Sequence, residues 1–131
     1  MTLPRSLTAA YNQRTGDAAE QAWCDELTRR GAQVWRVNAG TSARHNQDVF
    51  LLWDVLAMTD TDAMFCQVKA TATDPWPPAP IWRTRFMEAR HPKGLRYLLV
   101  WLDPSGQWRV WRLLSDGTRL PVAWPPEGSA S

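Results

Sequence analysis

Lysine is scarce in this chain. Of its 15 basic residues only Lys69 and Lys93 are not arginine. Cysteine is scarcer still as a ligand source: Cys24 and Cys66 have no CxxC partner, and only two histidines accompany them. That argues against a zinc site and leaves buried free thiols in a reducing compartment as the expectation. No run of 18 apolar residues exists, and residues 1–16 lack the apolar segment of a signal peptide, so the expectation is a soluble, intracellular protein in the cytoplasm with no membrane partner. A net charge of +2 says little about partners. The arginine bias suits bidentate phosphate contacts, although a GC-rich genome produces the same bias.

The 131 residues suit one domain, and 44% hydrophobic content allows a packed core. Tryptophan is plentiful, with nine residues, six of them from Trp76 onward. Core, a dimer interface and stacking platforms for bases are the three uses open to them, in that order.

Residues 1–14 read as a loose, polar arm carrying Arg5 and Arg14. Thr15-Gly16-Asp17 offers N-cap chemistry, and Asp17 to Arg30 reads as a helix stopped by Gly31. Ala19, Trp23, Cys24 and Leu27 form its apolar stripe, and Glu20 falls near the middle of that stripe. Asp25, Glu26, Arg29 and Arg30 fall off it, toward solvent. A core-edge position or pairing with an arginine accounts for Glu20 as well as any chemical role does.

Gln33 to Val37 reads as a strand and Asn38 to Gln47 as a polar loop with Arg44 and His45. Val49 to Met58 and Met64 to Ala70 read as strands of an antiparallel hairpin across Thr59-Asp60-Thr61-Asp62. Alternation puts Phe65, Gln67 and Lys69 on one face and Met64, Cys66, Val68 and Ala70 on the other. Asp54 interrupts ten otherwise apolar residues, and an unpaired carboxylate there costs several kcal/mol. Four prolines in 71–80 exclude regular structure. Ile81 to Arg90 reads as a helix with Arg83 and Arg85, Leu95 to Leu102 and Gln107 to Leu114 as strands, and 121–131 as a tail. The expected class is α/β or α+β, a mixed sheet flanked by helices, with no repeat or linker.

Glu20, Asp54, Gln67 and Lys69 thus converge. Two carboxylates and an amide carbonyl are hard oxygen donors suited to Mg²⁺ or Mn²⁺, and a nearby lysine can orient or deprotonate a water or offset phosphorane charge. That is the minimum for metal-assisted phosphodiester hydrolysis.

This pattern resembles the restriction-endonuclease-like nuclease superfamily, whose signature is an Asp, then Asp or Glu, one residue and Lys on a β-hairpin, with a Glu on the preceding helix. It is most similar to archaeal Holliday-junction resolvases and phage nucleases of that type. Gly16, Glu20, Gly31, Arg36 and the loop Ala39 to Arg44 carry the likeness, which covers residues 16–70. The resemblance implies a single nuclease domain over 1–131 with a central mixed sheet in αβββαβ order. It implies Asp54 as central metal ligand, Gln67 at the position usually held by Glu or Asp, Lys69 as catalytic lysine and Glu20 as helical carboxylate. Gln67 departs from the pattern: its neutral carbonyl implies weaker binding of Mg²⁺ or Mn²⁺. Asp48 is an accessory carboxylate roughly 20 Å along the strand, or a solvent-facing one. DNA contacts are expected from Arg14, Arg44, His45, Thr71, Arg83 and Arg85, in a salt-dependent manner.

The expected activity is a Mg²⁺-dependent endonuclease on branched DNA, acting as a homodimer. The alternatives are a non-catalytic DNA-binding or assembly protein on a decayed nuclease fold, and a sequence-specific restriction, homing or repair nuclease.

Overall fold

The computed structural model of the chain describes residues 5–37, 53–77 and 80–126. Within them the element order is α1 (Arg5–Arg29), β1 (Gln33–Arg36), β2 (Val55–Met58), β3 (Ala63–Lys69), α2 (Pro80–Glu88), β4 (Leu95–Leu102), β5 (Trp108–Leu113) and β6 (Arg119–Val122). The six strands form one mixed sheet in the order β1-β2-β3-β4-β5-β6, so the class is α+β as expected. Pairing is antiparallel throughout except at β3–β4, which is parallel and needs the α2 crossover. Among the described residues no helix is long and apolar enough to cross a membrane.

The helices cover opposite faces. On one, Ala19, Trp23, Cys24 and Leu27 of α1 pack on Val55, Ala57, Met64, Cys66, Val68, Leu98, Val100 and Val110. On the other, Phe86 of α2 packs with Trp53, Tyr97, Leu99 and Leu113, flanked by Phe65, Trp82 and Trp111. The alternation read in β3 is therefore correct: Met64, Cys66 and Val68 face α1, and Phe65 faces α2. Trp23 and Trp53 are fully buried, one in each core. Burial pushes the Cys66 thiol up to about 12 and the Cys24 thiol up to about 11. Both thiols are therefore expected to resist iodoacetamide in the native protein and to label together in denaturant, which mass spectrometry reads directly.

Three expectations need correction. The helix does not begin at Asp17 after a loose arm. α1 runs from Arg5 through Gly16 for 25 residues, because the arm's Leu, Ala, Gln and Arg are strong helix formers and no proline falls between Arg5 and Arg29. Its end is as read: Gly31 takes φ +92°, and the Ala32 N–H reaches back to the Leu27 carbonyl at 3.0 Å. Residues from Pro121 onward are not simply a frayed tail. Arg119–Val122 pair with β5, and Pro121 is tolerated because β6 is a sheet edge. Glu26 does not face solvent. It is 7% exposed, accepts from Arg30 Nε at 2.9 Å and from Trp124 Nε1 at 2.8 Å, and also pairs with Arg29. The helical period could not reveal a partner 98 residues away.

At the end of α2, His91 lies 4.3 Å from the Phe86 ring and 4.9 Å from that of Tyr97, centroid to centroid. Its Nε2 is buried without a hydrogen-bond partner, and burial holds its pKa below the usual 6.5. Protonation is therefore easier in the unfolded chain. The neutral ring's contribution is fully present above 6.5 and is lost as pH falls toward the lowered folded value. The melting temperature is expected to drop between pH 7 and pH 5, and the drop to shrink in His91→Gln; parallel melting curves for the two proteins would refute this.

Candidate functional site

The C-terminal ends of β1, β3 and β4 and the N-terminal end of β2 lie together at one end of the sheet. Asp54 stands where β2 begins. The pairs Val55↔Cys66 and Leu56↔Phe65 would place it opposite Gln67. The register breaks there, so the strand expected over Val49 to Met58 is interrupted at Asp54, and its residues 49–52 lie outside the described residues. The Asp54 N–H donates to the Cys66 carbonyl at 2.9 Å, and Asp54 Oδ2 accepts the Val68 N–H at 2.9 Å. These two bonds bracket Gln67. The carboxylate, 5% exposed, thus stands in for the backbone acceptor that a continuing β2 would have supplied. A buried carboxylate in an apolar run is explained in part by a backbone amide 14 residues on, a partner that carries no side-chain signature in the sequence.

Gln67 is 6% exposed and Lys69 half-buried, both on the α2 face of β3. Across the parallel seam they pair in register with Leu99 and Trp101. The structure therefore brings Asp54, Gln67 and Lys69 to the same end of the sheet. Glu20 is placed differently. It sits on α1, over the opposite face, half-buried, and its Oε2 accepts from Arg36 Nη2 at 3.1 Å and Nε at 3.3 Å. Arg36 also reaches Asp17 Oδ1 at 3.2 Å. Arg36 in turn pairs with Val55, the residue after Asp54. The arginine pairing that the sequence left open for Glu20 is thus present.

Among the described residues no group of three His, Cys, Asp or Glu side chains is arranged to hold a metal ion. Oxygen donors beyond the carboxylates, such as the Gln67 carbonyl, fall outside that count.

The expected DNA contacts are dispersed. Thr71 follows β3 at the same sheet end, but its hydroxyl donates to the Thr73 carbonyl at 2.6 Å. Its carbonyl accepts the Trp101 indole N–H at 3.0 Å. Arg83 and Arg85 are exposed on α2. Arg83 lies beside Gly117 in the β5–β6 turn, the opposite end of the sheet from Asp54. Arg44, His45 and Asp48 lie outside the described residues, as does the Arg14 side chain. Sequence reading missed Asp103, at the β4–β5 turn beyond Trp101. It accepts from the Ser105 hydroxyl and N–H, the Gln107 N–H and Arg109 Nε, and these bonds, led by Ser105, hold its carboxyl down at about 2. Its signal was the Asp-Pro-Ser-Gly turn, and its role is to brace that turn.

Comparison with known proteins finds no matching family model, no matching curated protein and no matching solved structure.

Proposed function

We propose that this chain is a metal-dependent DNA endonuclease of restriction-endonuclease-like architecture, hydrolysing phosphodiester bonds in branched DNA as a homodimer. The observation that carries the reading is the placement of Asp54, Gln67 and Lys69 at one sheet end, Gln67 and Lys69 two residues apart on one face of β3 and Asp54 at the start of β2 with its bonds to Cys66 and Val68 on either side of Gln67. The element order, helix, three strands, helix, strand, supports it.

The donor set fits one weakly held Mg²⁺ or Mn²⁺. Asp54 supplies a carboxylate, one oxygen of which accepts from Val68, and Gln67 supplies a neutral carbonyl oxygen. Magnesium needs only one or two protein oxygens when waters and a substrate phosphate complete its shell. Glu20 fits less well as a ligand, since its carboxylate is engaged by Arg36; its role in this reading is to hold that arginine beside the β2 start. When bound, the ion supplies charge for a phosphate oxygen and acidity for a bound water. Lys69 orients the attacking water from the α2 face and offsets negative charge as the phosphorane forms. Asp54, buried and anchored by the Val68 amide, has little rotamer freedom to lose when it binds.

A second reading, a DNA-binding protein without cleavage, is favoured by two contacts: the Val68 bond gives Asp54 a structural use, and Arg36 gives Glu20 one. Four-way junction, linear duplex and single-stranded DNA incubated with Mg²⁺, Mn²⁺ or EDTA separate the two. Ion-dependent cleavage, greatest on the junction, is the expected result. DNA binding with no product under any ion, and no heat on titrating Mg²⁺, would establish the second reading instead.

A further inference from the structure

We infer that Trp101 is a base-stacking platform that receives an unpaired nucleobase of the strand whose phosphate lies at Lys69. The inference rests on the nucleic-acid reading above and adds to it a feature of the substrate. Trp101 is the register partner of Lys69 across the β3–β4 seam, so the two side chains stand side by side on the α2 face. Its ring stacks with Trp111, with centroids 6.3 Å apart and planes 14° from parallel. The Arg119 guanidinium lies over Trp111 at 4.1 Å and is itself held by both oxygens of Asp74, at 3.0 and 2.9 Å. The indole N–H of Trp101 is fixed by the Thr71 carbonyl. The ring is therefore pinned in plane and at its polar edge, yet remains half-buried rather than enclosed.

A pinned aromatic surface loses little side-chain entropy when a second ring settles on it. The charge around it selects the ring's chemistry. Lys69 flanks Trp101 on the β3 side, and Arg109, its register partner on β5, flanks it on the other, its Nε on Asp103 at 3.1 Å and more than half of its side chain exposed. An aromatic face between two cations matches a single nucleic-acid strand, whose bases stack and whose phosphates flank them. A base inside a duplex is stacked on both faces by its neighbours, so the platform selects substrates with unpaired nucleotides, as at a branch point or a strand end.

The test uses a fluorescein-labelled oligothymidylate of about 16 nucleotides, a duplex of equal length, and the same oligothymidylate carrying one 5-iodouracil for photocrosslinking, all in EDTA. Trp101→Ala is expected to weaken oligothymidylate binding at least about fivefold, the low end for loss of one base–aromatic stack. Trp101→Phe should restore most of it, duplex binding should be little changed, and the wild-type crosslink should map to Trp101. Unchanged oligothymidylate affinity in a Trp101→Ala protein with native melting would overturn the inference, as would equal loss on both DNAs. Should that variant fail to fold, the wild-type crosslink decides, and a crosslink elsewhere overturns the platform. Duplex binding or cleavage without oligothymidylate binding removes the platform and leaves the nuclease reading standing. Absence of binding to either DNA removes both.

Discussion

Lys69→Met is expected to lower ion-dependent DNA cleavage by about 10²–10⁴-fold, the usual contribution of a positioned proton-transfer group, with the native melting temperature retained. Methionine keeps the apolar stem and removes the ammonium, so packing on the α2 face survives while the charge that the proposed mechanism assigns to Lys69 is lost. The companion substitution, Asp54→Asn, is expected to remove cleavage altogether. Its amide oxygen still accepts the Val68 N–H that Asp54 Oδ2 accepts at 2.9 Å, so the sheet end keeps its bond. What disappears is the negative charge that an incoming cation needs. Asp54→Ala is a poorer probe, since it also leaves the Val68 amide unsatisfied at a cost of about 1–3 kcal/mol. Full cleavage by Lys69→Met or Asp54→Asn would end the nuclease reading, and calorimetric Mg²⁺ titration of the Asn variant checks the same point without turnover.

Glu26→Ala is expected to be the most destabilising single change away from the candidate site, by about 3 kcal/mol. The Glu26 carboxylate joins two parts of the chain: the end of its own helix, through the exposed Arg29 and the adjoining Arg30, and the segment after β6, through the Trp124 indole. Arg30 is itself largely buried and lies 5.2 Å from the centroid of the Trp124 ring. Removing the acid takes from the largely buried Arg30 guanidinium and from the half-buried Trp124 indole N–H the carboxylate that both donate to. Trp124 also packs on Trp23 at 4.8 Å, so loosening it disturbs the α1-side core. A fall of the melting temperature on the order of 10 °C is the corresponding thermal readout. A variant that melts within a degree or two of the wild type would show that the Glu26 cluster contributes nothing net.

Local pattern revealed much of this architecture and little of its long-range pairing. The two-residue period of Met64 to Ala70 placed Cys66 and Val68 in one core and Phe65 in the other, and Gly31 marked the helix end, because each signal is carried within a few residues. The polar residue in an apolar strand correctly marked Asp54 as buried. Its partner could not be read, because a backbone amide leaves no trace in the sequence and the register break that exposes it depends on how β2 meets β3. Glu26 shows the converse. The helix stripe assigned it to solvent, and only the return of Trp124 from the far end of the chain buries it. Strand β6 was hidden by Pro121, a residue that argues against strands except at an edge, and edges are defined by the whole sheet.

Because strand order in the sheet equals strand order in the chain, the molecule is two three-stranded meanders, β1–β2–β3 and β4–β5–β6, joined along one parallel seam. The β2–β3 hairpin and the β4–β5–β6 meander close through short turns and can form locally, on the microsecond scale of hairpins. The seam must wait for the chain that carries α2 to loop over, and its closure entropy makes it the slow event in assembly. Lys69 lies on one side of that seam and Trp101 on the other. Any ligand that touches both would bind only the completed fold. It would slow unfolding by holding the seam shut, leaving the hairpins' own rates of formation unchanged.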